Sequence, residues 1–168
     1  FGDDITAMLQ VAYYIGEYSG NPDRAAEIVH EALEKQSTVE IQFGAAAIFE
    51  RLELFDDLRE ILVSLRDERD LSVQDRLDLG TFYFTLKEWG QAAQLYEEMA
   101  SEFPENGEVF GSLLAAYQQA DDSAKVQSTL IRWLERNPQD SEAARLLQEW
   151  GGTVPEGITN SDALTQDH

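Results

Sequence analysis

Histidine is the first residue type to consider for chemistry in this chain, and the sequence has only two, His30 and His168. His30 stands beside Glu31, but no second histidine lies four residues away, so the helical spacing that binds zinc in metalloproteases is missing. We therefore interpret His30 as a solvated residue on a helix surface. His168 is the last residue, and nothing around it indicates a role. The sequence has no cysteine, which excludes a disulfide, a thiolate metal site and a cysteine nucleophile.

Three acidic pairs could in principle coordinate calcium: Asp3-Asp4, Asp56-Asp57 and Asp121-Asp122. None of them has the alternating acids, central glycine and closing glutamate of a calcium loop, so we interpret them as helix caps and solvated turns. Two histidines are too few to argue for a Ser-His-Asp triad, and no glycine-rich phosphate loop follows a strand. We expect a protein that is not an enzyme and that needs no metal or other cofactor.

The chain is strongly acidic, with 33 Asp and Glu against 12 Lys and Arg and a formal net charge of -21. The excess is spread along the whole sequence. Such a charge repels nucleic-acid phosphates and anionic lipids, so we expect neither as a partner. The acidity has two readings: solubility in a salty environment, or attraction of a basic partner protein.

No apolar run approaches the ~20 residues of a membrane span, so we expect no membrane insertion. The longest run is Phe43 to Phe49. We expect a soluble protein, and the sequence leaves its compartment open between the cytoplasm and the periplasm. The sequence starts at Phe1 without an initiator Met or a signal peptide, which suggests a processed or excised piece of a longer chain.

The sequence repeats itself with a period of 34 residues. One unit carries the set Arg76, Leu79, Gly80, Tyr83, Ala92, Tyr96 and Pro104. The next unit has Phe110, Leu113, Leu114, Tyr117, Val126, Leu130 and Pro138 at the same offsets. Two further units precede them, and the second half of the first unit is one residue out of phase, which we attribute to an extra loop residue near Gly20-Asn21-Pro22. Four units result.

Each unit is predicted to form two helices, because apolar or small residues recur at offsets of three and four. Ser37 with Glu40, and Ser72 with Asp75, are predicted to cap helix starts, and Asn21 followed by Pro22 is a further cap. The small residues Ala12, Ala46 and Gly80 are predicted to let the paired helices approach closely, and the fourth unit has Leu114 at that position. The aromatic residues Phe49, Tyr83, Tyr96 and Tyr117 are predicted to fill the core. No segment alternates as a strand does.

The unit around Tyr83 resembles the tetratricopeptide repeat, because Leu79-Gly80, Tyr83, Ala92, Tyr96 and Pro104 follow its pattern. Arg76 stands where the pattern has tryptophan. The resemblance implies a bacterial-type array with an all-α, right-handed α-α superhelix fold. We predict a repeat domain over residues 1–150, with units at about 5–38, 39–72, 73–106 and 107–140 and a capping helix at 140–150. A polar tail follows at 151–168, where Val154, Ile158 and Leu164 are predicted to dock on this chain or a neighbour.

The resemblance also implies that the first helix of each unit lines a concave groove that binds another protein. The predicted groove residues are Leu9, Tyr13, Phe43, Ala47, Leu77, Thr81, Phe84, Gly111 and Ala115. The groove contains no lysine, so we expect it to bind an apolar or mildly basic peptide or helix rather than a carboxylate terminus. Two alternatives remain: a recruiting or regulatory module of a larger enzyme, and a structural unit that self-associates through its groove or its tail.

Overall fold

The structure, a computed structural model, describes residues 4–156 and 158. Within these residues it contains helices and no strand. The helices are α1 (Ile5–Ser19), α2 (Pro22–Lys35), α3 (Val39–Arg51), α4 (Phe55–Arg66), α5 (Val73–Thr85), α6 (Trp89–Glu102), α7 (Gly107–Gln119), α8 (Ser123–Leu134) and α9 (Ser141–Glu149). None of these helices has the length and hydropathy needed to cross a membrane.

The chain divides into two compact units, Phe1–Leu86 and Lys87–His168. In the first unit, α1 packs against α2 and α3, and α3 packs against α4 and α5. Its interior is built from aliphatic side chains of α4, among them Leu58, Leu62 and Leu65, together with Phe49 of α3. Since these side chains are almost completely withdrawn from water, their burial is the main force that holds the helices together.

In the second unit, consecutive helices pack against one another from α6 to α9. Met99, Leu113, Leu130 and Leu134 form the buried interior of the first three helices. The last helix, α9, is short and covers α8 with Leu147, which is fully buried. This is the arrangement expected of a helix that shields the last apolar surface of a repeat array.

Side-chain caps decide where most of the helices begin. Asn21 accepts a hydrogen bond from the Arg24 amide and is followed by proline, as predicted. Ser72 and Asp75 form a complete capping box, which confirms that prediction too. The predicted cap at Ser37 is wrong by one residue: Thr38 has the extended backbone of a cap, and its hydroxyl accepts from the amide three residues on.

The turn inside each helix pair contains one residue in the left-handed backbone region. Glu53, Lys87 and Asp121 have φ angles of 57°, 58° and 53°, and they are spaced by the 34-residue period. In the first pair the left-handed residue is Gly20, with φ 62°, one residue later than the period requires. The one-residue slip that the sequence predicted is therefore visible in the backbone itself.

The core positions predicted from the repeat are confirmed. Ala12 and Ala46 have no exposed surface, and Gly80 is buried at the corresponding position. The predicted aromatic residues are buried as well: Phe49, Tyr83, Tyr96 and Tyr117. The boundaries of the predicted 34-residue units remain a prediction. In the tail, Val154 and Ile158 are half-buried, whereas Leu164 lies outside the described residues, as does His168.

Candidate functional site

Most of the predicted groove residues lie on α1, α3 and α5, which contact one another in that order within the first unit. The partly or fully exposed ones are Leu9, Tyr13, Phe43, Ala47, Thr81 and Phe84. We call these six residues the first-helix face. Ala47 and Thr81 are exposed, and the other four are half-buried, so each offers some surface to a binding partner.

Leu77 does not belong to this face, because only 5% of it is exposed. The expectation that it would anchor a ligand in the groove is corrected by this burial. The physical reason lies in α5, which packs against both α3 and α4 and therefore buries more than one stripe of its surface. Leu77 is a core residue.

Gly111 and Ala115, the remaining predicted groove residues, lie on α7 in the second unit. Gly111 is exposed and Ala115 is half-buried. An added Cβ at Gly111 would meet nothing within 4 Å, so the glycine is not required there by packing. Their role in binding stays a prediction from the repeat.

Close contacts between α1, α3 and α5 hold the residues of the first-helix face in position. Gly44 on α3 leaves room for Leu9 of α1, since a Cβ at Gly44 would lie 3.1 Å from the Cδ1 atom of Leu9. The ring of Phe43 lies 6.3 Å from that of Phe82 on α5, at an interplanar angle of 32°. Aromatic pairs at such distances stabilise each other beyond the area that they bury. The face is thus held in place by contacts between all three helices.

Hydrogen bonds join the same three helices at one edge of the face. Arg51 donates to both carboxylate oxygens of Glu17, at 3.1 and 2.7 Å, and Thr85 donates to Glu50 at 2.5 Å. The hydrogen bonds from Arg51 hold the pKa of the Glu17 carboxyl below its ordinary value. Two of the acids near the face are therefore already partnered within the protein.

The largest exposed apolar surface on α1 was not predicted. Tyr14 and Tyr18 are 60% and 73% exposed, and their rings stack at 5.6 Å between centroids. Tyr13 contacts both rings edge-on, at 5.8 and 6.4 Å. We call these three residues the tyrosine cluster. Because Tyr13 also belongs to the first-helix face, the cluster extends that face along α1.

A signal for the tyrosine cluster was present in the sequence. Apolar residues occur at positions 11, 14, 15 and 18, which is a second helical stripe besides the one that buries Ala12. Moreover, Glu17 is the single charged residue within α1. A second apolar stripe on a helix indicates either a further contact within the protein or an exposed apolar surface, and in α1 the second stripe is exposed.

His30 has a partner that the sequence did not reveal. Its Nε2 atom lies 2.7 Å from the Oδ1 atom of Asp57 on α4, and its ring lies 5.4 Å from that of Phe49. The side chain is 44% exposed, so it is a surface histidine, although a paired one. In the part of the chain that the structure describes, no three His, Asp or Glu side chains are grouped closely enough to hold a metal ion.

Comparison with known proteins identifies the repeat. Residues 83–149 match the profile of the tetratricopeptide repeat family. Among solved structures, a mutant of MamA superposes with a TM-score of 0.52 at 16% identity, covering 86% of this chain and 77% of MamA. PilF of Pseudomonas aeruginosa superposes with a TM-score of 0.51 at 19% identity, covering 87% of this chain and 67% of PilF. No curated protein sequence matches the chain.

Residues 83–149 are therefore recognised as tetratricopeptide repeat, in agreement with the resemblance found in the sequence. Its fold is the all-α helical repeat of the solenoid type, in agreement with both solved structures. At these identities the structural likeness establishes the fold alone. Tetratricopeptide repeats are in general protein-interaction modules.

Proposed function

We propose that this protein is a non-catalytic scaffold that binds an apolar or mildly basic segment of another protein on the first-helix face. The observation that carries the proposal is the set of partly exposed aromatic rings on helices that pack side by side, with Tyr13, Phe43 and Phe84 as anchors. Exposed aromatic residues grouped in this way are typical of protein-interaction surfaces.

Charge supports a partner of this kind. The face itself is apolar, and the acids next to it, Glu17 and Glu50, already have partners in Arg51 and Thr85. These two acids are therefore not free to pair with a charge on the bound segment. The rest of the protein carries a large negative charge, which favours basic residues at the ends of the segment. An amphipathic helix with an apolar face and lysine flanks fits both conditions.

Synthetic peptides test the proposal directly. One peptide is an amphipathic helix with leucines on one face and lysines on the other, and its control has glutamates in place of the lysines. We expect saturable binding of the lysine peptide, measured by fluorescence anisotropy, and at least about tenfold weaker binding of the glutamate peptide, a difference of about 1.4 kcal/mol. Equal binding of both peptides would contradict the role of charge.

Two substitutions test the location. Ala47→Glu and Thr81→Glu place a charge on exposed positions of the face without removing a core side chain. We expect each to weaken binding of the lysine peptide about tenfold or more, because the charge must be desolvated beneath an apolar segment. The matched control is Ser128→Glu, an exposed position on α8 in the second unit. If all three variants bound alike, the face would not be the binding site.

Self-association is the second candidate function, and the tyrosine cluster is the observation that favours it. Tyr14 and Tyr18 present a large exposed aromatic surface that a second copy of the chain could cover. Light scattering over a range of protein concentrations separates the two functions. A mass that stays at 18.9 kDa at all concentrations supports the scaffold, and a rise that Tyr18→Ser abolishes supports self-association.

A further inference from the structure

A cavity in the second unit has a composition unlike that of the rest of the chain. It has a volume of about 190 Å³ and opens between the end of α6 and the facing sides of α7 and α8. Its lining includes Phe103, Phe110, Thr129, Arg132, Trp133 and Arg136. Two arginines and no acid line it, in a protein with 33 acids and 12 bases. We call it the aromatic–arginine pocket.

The apolar wall of the pocket is firmly built. The rings of Phe110 and Trp133 are almost parallel, at 11°, and their centroids are 4.2 Å apart. The indole Nε1 of Trp133 donates to the Oδ2 atom of Asp140 at 2.8 Å, which fixes the orientation of the ring. A stacked and hydrogen-bonded aromatic pair offers a preformed flat surface to an apolar ligand.

Thr129 lines the pocket, but its hydroxyl group lies beneath the surface. The residue is only 2% exposed, and its Oγ1 atom is buried with no hydrogen-bond partner among the described residues. A helical threonine commonly donates to the carbonyl of the preceding turn. For Thr129 that acceptor is the carbonyl of Lys125. In this structure the carbonyl of Lys125 accepts instead from the neighbouring Ser128 hydroxyl, at 3.1 Å. Because the Oγ1 atom of Thr129 has less than 1 Å² of accessible surface, a ligand cannot reach it, and the charged donors that line the pocket are those of its two arginines.

The two arginines differ in what they leave for a ligand. Arg132 donates to both carboxylate oxygens of Glu97, at 3.0 and 3.3 Å, so its charge is neutralised inside the protein. Arg136 donates from Nη1 to the main-chain carbonyl of Arg132, at 3.1 Å, and none of the described carboxylates forms an ion pair with it. Its remaining N–H groups can donate to an anion.

We propose that the aromatic–arginine pocket binds a small molecule that carries one carboxylate on an apolar or aromatic body. The carboxylate accepts from Arg136, and the body lies against Trp133. Trp133 and Arg136 are three residues apart, which places them on one side of α8 and its continuation. The cavity is below the ~300 Å³ at which pockets for drug-sized ligands begin, so the ligand is about the size of one aromatic side chain.

Three probes of equal length test the chemistry: hydrocinnamate, its neutral amide, and the corresponding primary amine. Binding is followed on the intact chain by calorimetry and by the NMR signal of the Trp133 indole N–H group, assigned with Trp133→Phe. We expect hydrocinnamate to bind and to shift the indole signal, with the amide at least about tenfold weaker and the amine not detectable. Amide binding as tight as that of the acid would overturn the proposal, and so would no binding by any probe.

Variants locate the carboxylate. Arg136→Gln is expected to weaken hydrocinnamate binding about tenfold or more, whereas Thr129→Val, which keeps the shape and removes a hydroxyl that the ligand does not reach, is expected to change it less than about twofold. Arg145→Gln is the matched control, since Arg145 lies on α9 and pairs with Glu142 outside the pocket. Affinity unchanged by Arg136→Gln would overturn the assignment, and because Arg136 is exposed this variant is expected to fold.

Such a carboxylate could belong to a small molecule or to the carboxyl end of a peptide, and a short peptide distinguishes the two. Gly-Gly-Phe with a free carboxyl end carries the same chemistry on a peptide, and we expect it to bind more weakly than hydrocinnamate because its backbone must fit beside a small cavity. Tighter binding of the peptide would replace the small-molecule ligand with a peptide end. These outcomes do not depend on the first-helix face, because the variants that test that face lie in the first unit.

Discussion

Phe49 and Tyr117 occupy the same position of the repeat, two periods apart, one in each unit of the chain. Phe49 has no exposed surface, and its ring lies against His30. Tyr117 is 8% exposed, and its hydroxyl donates to the Oε1 atom of Glu97 at 2.8 Å. The repeat therefore sets the place and the approximate volume of the side chain, and the neighbours decide whether a polar atom is tolerated there.

The hydroxyl of Tyr117 adds a third partner to an ion pair. Glu97 accepts from Tyr117 and from Arg132, whereas Glu17 in the first unit pairs with Arg51. The two acids are similarly exposed, at 30% and 26%, but Arg51 is more exposed than Arg132, at 60% against 43%. Burial, together with the charge of Glu97, raises the pKa of the Tyr117 hydroxyl, so it remains a donor at all ordinary pH values. The second unit thus has a network of three side chains where the first has an ion pair of two.

The largest expected effect on the free energy of unfolding comes from truncating the fully buried side chain of Phe49. Phe49→Ala should lower the free energy of unfolding by about 3 to 5 kcal/mol, because it removes buried apolar surface and leaves a cavity. Denaturant unfolding followed by circular dichroism measures the change. Phe49→Leu, which keeps most of the volume, should cost clearly less. A loss below about 1 kcal/mol for Phe49→Ala would show that this position is not the packed core that we describe.

The polar network should show the next largest effect. Glu97→Gln should lower the free energy of unfolding by about 1.5 kcal/mol, since a charged acceptor of hydrogen bonds from Arg132 and Tyr117 is lost. Glu17→Gln is the matched change in the ion pair of the first unit. Its effect should be smaller, because it removes the charged acceptor of one side chain, Arg51, rather than of two, and because Arg51 is more exposed to water and salt than Arg132. If the two variants lost equal free energy of unfolding, the network of the second unit would not be more stabilising than the ion pair of the first.

The contribution of Glu97 should also depend on pH. Burial alone would raise the pKa of Glu97, but the hydrogen bonds from Arg132 and Tyr117 outweigh it and lower that pKa below the ordinary 4.5. A carboxyl whose pKa is lowered by folding stabilises the protein above its unfolded pKa, and this contribution is lost as the pH falls through the folded pKa. The difference in unfolding free energy between wild type and Glu97→Gln should thus be constant from pH 7 to pH 5 and shrink below about 4.5.

The smallest expected effects concern the turns. Glu53 has a left-handed backbone that side chains other than glycine adopt at a cost, whereas the first turn uses Gly20. Glu53→Gly should therefore raise the free energy of unfolding by up to about 1 kcal/mol, and Gly20→Ala should lower it by about 1 kcal/mol. No atom lies within 4 Å of a Cβ at Gly20, so that loss would come from the backbone alone. Thermal unfolding measures the midpoint temperature of each variant relative to wild type. If both variants shifted this temperature in the same direction, the reasoning would be wrong.

The sequence by itself determined the helical repeat, its period and the one-residue slip at the first turn. It did so because each helix must bury one apolar stripe against its own partner, and that stripe recurs in the order of the residues. The cap at Ser72 and the burial of Tyr83 follow from the same local rules. The Ser37 cap was missed by one residue because Thr38, an equally good capping residue, stands next to it.

Some helices have apolar residues outside the stripe that they bury against their own partner helix. Only the tertiary structure decided which of these residues are buried by another helix and which stay exposed. Leu77 and Tyr14 both lie outside the main apolar stripe of their helices, yet Leu77 is buried and Tyr14 is exposed. The difference depends on which helices pack next to each one, and residue spacing within a helix does not carry that information. The same holds for the pairing of His30 with Asp57 and for the acid-free lining around Arg136, because both are made by side chains that are distant in the chain and meet only when the helices pack.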